Sequence, residues 1–182
     1  MMKSNKVFTL CIIALSSIIC FTGYSKTTKI TEQEVLLAQK NWGNALIKIG
    51  KCYTKGKDYK KAAKNLINDL YAYQSGQVLF KPTKTSDIKF RSTKEGALSY
   101  FIGNNKKFPE DKGFALQPWV NVRFKNEGIY INNNTAMAMG KYYFIPLKGK
   151  TVAVEYTFGY IKEKDKPLKI VLHHSSLPYS KK

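Results

Sequence analysis

The sequence predicts an α+β fold in which a curved antiparallel sheet wraps around helices that come first in the chain. Two observations support this prediction. Apolar residues recur at helical spacing in the first half of the chain, and they alternate with polar residues from Gln117 onward. Helices followed by a run of long strands are typical of helices packed on one side of a sheet. A twisted sheet that curls around a helix forms a cone, and the open mouth of a cone is a natural ligand site.

The first helix is predicted to start at Thr31. Thr31 can cap the helix, Glu34 completes a capping box, and Ile30 can pack against Val35 as a hydrophobic staple. Beyond this start, apolar residues form one stripe with alternating spacings of three and four: Val35, Ala38, Trp42, Ala45, Ile49 and Cys52. Because Cys52 lies on this stripe, we expect it to be a small buried apolar residue.

Two further helices are predicted before the sheet begins. The second runs from Asp58 to about Tyr71. A short third helix opens with a capping box at residues 92–95, continues through Tyr100 and ends at Gly103. Between these helices, residues 78–83 are typical of a short strand that is interrupted by Pro82.

The second half of the chain predicts strands separated by turns. Residues 120–125 alternate cleanly, residues 126–128 predict a hairpin turn, and residues 129–132 and 135–147 supply further strand. A turn at residues 148–150 leads to an alternating strand at residues 152–160. The final strand covers residues 168–176.

The N-terminus is typical of a secretory signal peptide. Lys3 and Lys6 precede an apolar stretch at residues 7–21, which is shorter than the roughly 20 residues of a membrane span. We therefore predict a signal peptide at residues 1–25 and a single domain at residues 26–182. The protein is expected to be exported, periplasmic or secreted, without stable membrane association. Because Cys52 is then the one cysteine left, no disulfide within the domain is expected.

The net charge of +19 raises the question of a nucleic-acid partner. Of the 31 basic residues, Arg91 and Arg123 are the two arginines, whereas base recognition relies on arginine. The lysines are scattered over predicted helix ends and turns. We therefore expect solvated surfaces and no nucleic-acid partner.

The last strand ends in a polar cluster that contains both histidines of the chain, His173 and His174, followed by Ser175 and Ser176. Buried polar groups need partners, so the cluster predicts a polar pocket at the end of the strand. Neighbouring residues of a strand face opposite sides, so His173 shares a face with Ser175 and His174 with Ser176. Two histidines on opposite faces cannot share a metal ion, and catalytic zinc usually takes three protein ligands. These residues therefore predict no metal site, although a site made of one histidine and carboxylates such as Glu155, or completed by ligands from a second subunit, stays possible.

Several stretches of the chain resemble the iota-class carbonic anhydrases and their exported bacterial relatives. That class belongs to the nuclear-transport-factor-2-like superfamily, which also contains the association domain of calcium/calmodulin-dependent kinase II. The resemblance covers about Ile30 to Tyr179, nearly the whole domain, and it rests on residues 80–83, 95–101, 108–111, 113–119, 155–160 and 172–178.

The resemblance implies a cone-shaped domain that reversibly hydrates carbon dioxide to bicarbonate, and a homodimer. Some members are metal-free and others use a divalent metal, so we expect no cofactor while zinc stays possible. In the metal-free form a threonine, a tyrosine and a serine hold bicarbonate. These correspond to Thr83, Tyr100 and Ser175, with Ser176 as the alternative serine. His173 is the expected proton relay. A non-catalytic module of the same fold, for ligand binding or oligomerisation, is the alternative function.

Overall fold

The computed structural model describes residues 29–164 and 166–180. The predicted signal peptide lies outside the described residues. Among the described helices, none combines the length and apolar character that crossing a membrane requires. The chain forms α1 (Glu32–Thr54), α2 (Tyr59–Leu70), β1 (Leu79–Lys81), α3 (Lys94–Ile102), a 3-10 turn (Phe114–Leu116), β2 (Trp119–Asn132), β3 (Thr135–Pro146), β4 (Val152–Ile161) and β5 (Lys169–Ser176).

The five strands form one sheet in the order β1-β5-β4-β3-β2. Strands β2 to β5 pair antiparallel, as predicted. The short strand β1 differs, because it pairs parallel to β5, with Leu79 opposite Leu172 and Lys81 opposite His174. The C-terminal ends of β1 and β5 therefore lie side by side at the same end of the sheet.

Helix α1 packs across the inner face of the sheet. Its predicted capping box is confirmed, since the Glu34 backbone N–H donates to Thr31 Oγ1 at 3.3 Å and the Thr31 N–H donates to a Glu34 carboxylate oxygen at 2.9 Å. The predicted stripe faces the core, although Cys52 is half-buried and not fully buried. At its centre, Trp42 lies with its ring centroid 5.7 Å from the rings of both Tyr142 and Phe158.

The cap of α3 lies one residue later than predicted. Thr93, and not Ser92, is the N-cap, because its hydroxyl accepts the Gly96 backbone N–H at 3.1 Å. Glu95 does not complete a box and instead pairs with Lys107 at 3.0 Å. The prediction of a capping box at residues 92–95 is therefore wrong in register, while the helix itself and its end at Gly103 are confirmed.

The hairpin turn predicted at residues 126–128 is also wrong. Strand β2 continues through these residues, and a bulge between Asn126 and Gly128 absorbs one extra residue opposite Gly140. A side chain at Gly140 would collide with the Lys125 carbonyl oxygen, so glycine is needed there. The chain reverses at residues 133–134, where Asn133 has a φ of 52°.

Candidate active site

Four hydroxyl side chains meet where β1, β3, β5 and α3 come together. Thr83 follows the end of β1, Ser175 lies near the end of β5, Tyr100 lies on α3, and Tyr142 lies on β3. The Thr83 and Ser175 hydroxyl oxygens are 2.8 Å apart. The parallel pairing of β1 with β5 explains this contact, since it brings the C-terminal ends of the two strands together. We call these four residues the hydroxyl cluster.

The alternation of β5 decides which serine and which histidine face the cluster. His173 and Ser175 are each 2% exposed and point into the core, whereas His174 is exposed. His174 and Ser176 line a groove on the outer face of the sheet. The structure therefore brings Ser175 and His173, and not Ser176 and His174, to the side of Thr83.

Tyr100 lies at the rim of the cluster. Burial raises the pKa of the Tyr100 hydroxyl, and hydrogen bonds with the Lys84 backbone and with Thr83 partly oppose this rise. The hydroxyl therefore keeps its proton near neutral pH. The Tyr100 ring stacks on Phe114 with centroids 5.5 Å apart. These contacts hold Tyr100 as a neutral hydrogen-bond donor beside Thr83.

Tyr142 is a member of the cluster that the sequence did not reveal. It is 1% exposed, and burial raises the pKa of its hydroxyl, an effect that hydrogen bonds with Ser175 and Thr83 partly oppose. The sequence places Tyr142 on a strand, but nothing distinguishes it there from a tyrosine that only packs. What distinguishes Tyr142 is its position beside the Ser175 and Thr83 hydroxyls, which belong to distant parts of the chain.

His173 lies behind the hydroxyl cluster. Its Nδ1 atom is 2.8 Å from the Tyr71 hydroxyl and its Nε2 atom is 3.4 Å from the Tyr142 hydroxyl. The ring stacks on Phe80 with centroids 4.5 Å apart. Burial lowers the pKa of His173 well below its ordinary value of 6.5, and the charge of His174 lowers it further. The ring is therefore neutral at physiological pH, which disfavours the predicted proton relay.

A buried ion pair anchors the segment that carries Thr83. Arg91, at the end of this segment, is fully buried and binds Asp111 with two nitrogens, at 2.6 Å and 3.2 Å. Ser99 of α3 donates to the same carboxylate at 2.6 Å. Such a pair with two hydrogen bonds fixes geometry as well as charge. In the sequence, Arg91 stands out only as one of two arginines, and its partner Asp111 is 20 residues away, so no local pattern predicts this role.

The neighbouring residue Glu110 holds the middle of the same segment. Its carboxylate accepts the backbone N–H groups of Ser86 at 2.6 Å and Ile88 at 3.0 Å, and also that of Asp87. These bonds, led by the one from Ser86, lower the pKa of Glu110 to about 2. The carboxylate is therefore ionised at all physiological pH values. Hydrogen bonds thus hold the segment of residues 83–91 at its two ends, through Thr83 and Arg91, and in the middle, through Glu110.

A surface groove reaches the cluster at Tyr100. It has a volume of about 490 Å³, and Lys84, Phe114 and Trp119 also line it. The groove gives a small molecule access to Tyr100 from solvent along a partly aromatic wall. Within residues 29–164 and 166–180, no group of three or more histidine, cysteine, aspartate or glutamate side chains is arranged to hold a metal ion.

Comparison with known proteins identifies the family. The family model for metal-independent carbonic anhydrase matches residues 33–177. A metal-independent carbonic anhydrase from Nostoc sp. is 51% identical over 153 residues, which cover 82% of this chain and 75% of the relative. The crystal structure of a cyanobacterial iota-carbonic anhydrase complexed with bicarbonate is 47% identical, with a TM-score of 0.83, and the match covers 85% of this chain and 96% of that one.

The fold prediction is confirmed by a more distant structure. A nuclear-transport-factor-2-like protein from Salmonella enterica is 13% identical with a TM-score of 0.50, and the match covers 81% of this chain and 91% of that one. At this level of identity the likeness concerns the fold alone. The family match spans almost the whole described domain and includes all members of the hydroxyl cluster. The chain belongs to the metal-independent carbonic anhydrase family.

Proposed function

We propose that this carbonic anhydrase hydrates carbon dioxide at the hydroxyl cluster, and that Thr83, Tyr100 and Ser175 contact the reacting molecule. The observation that carries the proposal is the 2.8 Å contact between Thr83 and Ser175, two residues far apart in the chain, beside the Tyr100 hydroxyl. The membership of a metal-independent family also confirms the prediction that the enzyme needs no metal cofactor.

The reaction needs stabilisation of negative charge. The oxygen of a water molecule bonds to the carbon of carbon dioxide, one C=O electron pair moves onto oxygen, and the water loses a proton to the solvent or buffer. Preorganised donors aimed at the oxygens where charge develops are a major source of catalysis. Neutral hydroxyls that keep their protons, as burial ensures for Tyr100, suit this role. The groove beside Tyr100 is the entry route of this proposal.

The proposal predicts a specific pattern of mutant activity in stopped-flow hydration of carbon dioxide. Ser175→Ala, Thr83→Val and Tyr100→Phe should each lower kcat about 100-fold, since each removes a hydroxyl from the hydrogen-bonded cluster that donates to the developing charge. Activity of the wild type should survive treatment with a chelator.

Two matched controls accompany these variants. Ser176→Ala changes the serine on the opposite face of β5. Tyr160→Phe removes a buried hydroxyl that has no hydrogen-bond partner among the described residues. Both controls should keep wild-type rates. Wild-type rates in all three cluster variants would place the reaction elsewhere, and an inactive wild type would favour the non-catalytic module.

We further propose that the protein forms a homodimer through the outer face of its sheet. One row of residues crosses all five strands on that face, and it is mostly apolar: Leu79, Leu172, Gly159, Met137 and Tyr130. Leu79, Met137 and Tyr130 are 58%, 50% and 60% exposed. A second copy would cover this apolar belt, which water solvates poorly.

We also propose that the protein is exported and that its signal peptide is cleaved. The signal-like pattern of residues 1–25 supports export. The N-terminal residue of the protein recovered from the cell envelope or the medium should be Lys26. Recovery of the protein with Met1 still in place would contradict export with cleavage.

A further inference from the structure

A chain of buried hydrogen bonds leads from helix α1 to the hydroxyl cluster. Trp42 Nε1 donates to the Tyr71 hydroxyl at 2.9 Å. The Tyr71 hydroxyl lies 2.8 Å from His173 Nδ1, and His173 Nε2 lies 3.4 Å from the Tyr142 hydroxyl. These four side chains are at most 2% exposed. We call Trp42, Tyr71, His173 and Tyr142 the relay.

The hydrogen bond from Trp42 favours one direction along the relay, because a Tyr71 proton that did not point to His173 would have no other acceptor among the described residues. An indole N–H can only donate, so the Tyr71 oxygen accepts from Trp42 and its own proton is available for His173 Nδ1. Burial keeps the imidazole neutral, and a neutral imidazole carries one N–H. With Nδ1 accepting, that N–H lies on Nε2 and faces Tyr142.

The tautomer of His173 then decides how many donors the cluster has left. Tyr142, Thr83 and Ser175 hold three hydroxyl protons between them. The bond between Thr83 and Ser175 uses one proton, and Tyr142, whose hydroxyl neighbours those of Ser175 and Thr83, uses another when it donates to this pair. When Nε2–H donates to Tyr142, the third proton is free. With the opposite tautomer, Tyr142 would have to donate to Nε2, and none of these three protons would be left over.

We propose that the relay orders the protons of the hydroxyl cluster, so that one hydroxyl proton is always free to donate to an oxygen of bicarbonate and of the transition state that leads to it. Trp42, Tyr71, His173 and Tyr142 are thus positioning residues. The inference rests on the proposed function, because it assigns to the relay the donor that the reaction uses. In this proposal His173 orients the protons of the cluster and does not transfer a proton itself.

The tautomer can be measured without any assay of activity. The chain contains two histidines, so ¹⁵N labelling of histidine rings gives two sets of signals, and His174→Gln assigns the remaining set to His173. The wild type should show an unprotonated Nδ1 and a protonated Nε2, unchanged between about pH 6 and 8. A proton on Nδ1, or a ring protonated on both nitrogens near pH 7, would overturn the inference.

Two substitutions at His173 separate orientation from packing. The amide of His173→Gln reaches the position of Nε2 and can still donate to Tyr142, whereas the amide of His173→Asn reaches only the position of Nδ1. We expect kcat to fall about 10-fold in the glutamine variant and about 100-fold in the asparagine variant, with KM changed less than about threefold in both. Equal losses in the two variants, or losses confined to KM, would contradict the relay.

A third variant tests the inference independently, in case the His173 variants do not fold. Tyr71→Phe removes only the hydroxyl that fixes Nδ1, so kcat should fall about 10-fold and the His173 signals should show a mixture of tautomers. Tyr160→Phe, which removes a buried hydroxyl without a hydrogen-bond partner in the described part of the chain, should change neither. A Tyr71→Phe variant with wild-type kcat and a single tautomer would overturn the inference. An inactive wild type would instead refute the proposed function, while the ring signals would still decide the relay.

Discussion

At the scale of single residues, neighbouring positions on β5 have opposite environments. His173 and Ser175 are buried beside the hydroxyl cluster, while His174 is exposed to solvent on the other face. The sequence showed that alternate residues share a face, but it could not show which face is the inner one. That answer depends on β1, which pairs with β5 and brings Thr83 next to Ser175.

The buried neutral state of His173 makes stability depend on pH. The pKa of His173 is lower in the folded protein than in the unfolded chain, so the unfolded chain binds a proton first as pH falls. The contribution of His173 to stability is therefore complete above about pH 6.5 and decreases below it, by up to about 1.4 kcal/mol per pH unit.

Urea unfolding at pH 7.5 and at pH 5.5 measures this effect. The wild type and the His174→Gln variant should lose stability between these two pH values. His173→Gln should lose about 1 kcal/mol less over the same interval, because it has no group to protonate there. An unchanged loss in His173→Gln would show that other groups cause the acid sensitivity.

At the scale of elements, the segment between β1 and α3 decides where Thr83 lies. This segment has little regular structure, and it is held by Glu110 and by the ion pair of Arg91 with Asp111. Its anchors are side chains distant in sequence, so no local pattern predicted them. The helices and strands around it were predicted well, because their periodicity and caps are local signals.

Loss of the Glu110 charge should loosen this segment. Glu110→Gln removes a carboxylate that accepts three backbone N–H groups, so Thr83 should lose its fixed position and kcat should fall roughly tenfold. Glu95→Gln is the matched control, since Glu95 pairs with Lys107 at the surface. Stopped-flow hydration and thermal unfolding of both variants test this prediction. Equal activities would show that the other anchors suffice.

At the scale of the whole molecule, the outer face of the sheet is the surface proposed for the dimer. Met137→Glu places a charge within the apolar belt and should convert the dimer to a monomer. Leu147→Glu is the control, because Leu147 is 66% exposed but lies in a turn outside the belt. Sedimentation velocity at micromolar concentration distinguishes the two states. A wild type that sediments as a monomer would refute the dimer.

The limits of sequence prediction follow from the range of the interactions. The start of α1 was predicted correctly because Thr31 and Glu34 are three residues apart. The hairpin at residues 126–128 was wrong, because a bulge opposite Gly140 produces the same local signal as a turn. Tyr142 could not be singled out, since its role comes from Thr83 and Ser175 on other strands.

The contact between Thr83 and Ser175 has a consequence for the stage of folding at which the enzyme becomes active. The two residues are separated by 92 positions in the chain, and Ser175 lies on β5, the last of the five described strands. During synthesis the helices and the first four strands are complete before β5 becomes available. Contacts over such a distance form late and slowly, because a large loop has to close first. Catalytic activity should therefore be acquired in the last step of folding, and a chain that lacks β5 would gain no partial activity.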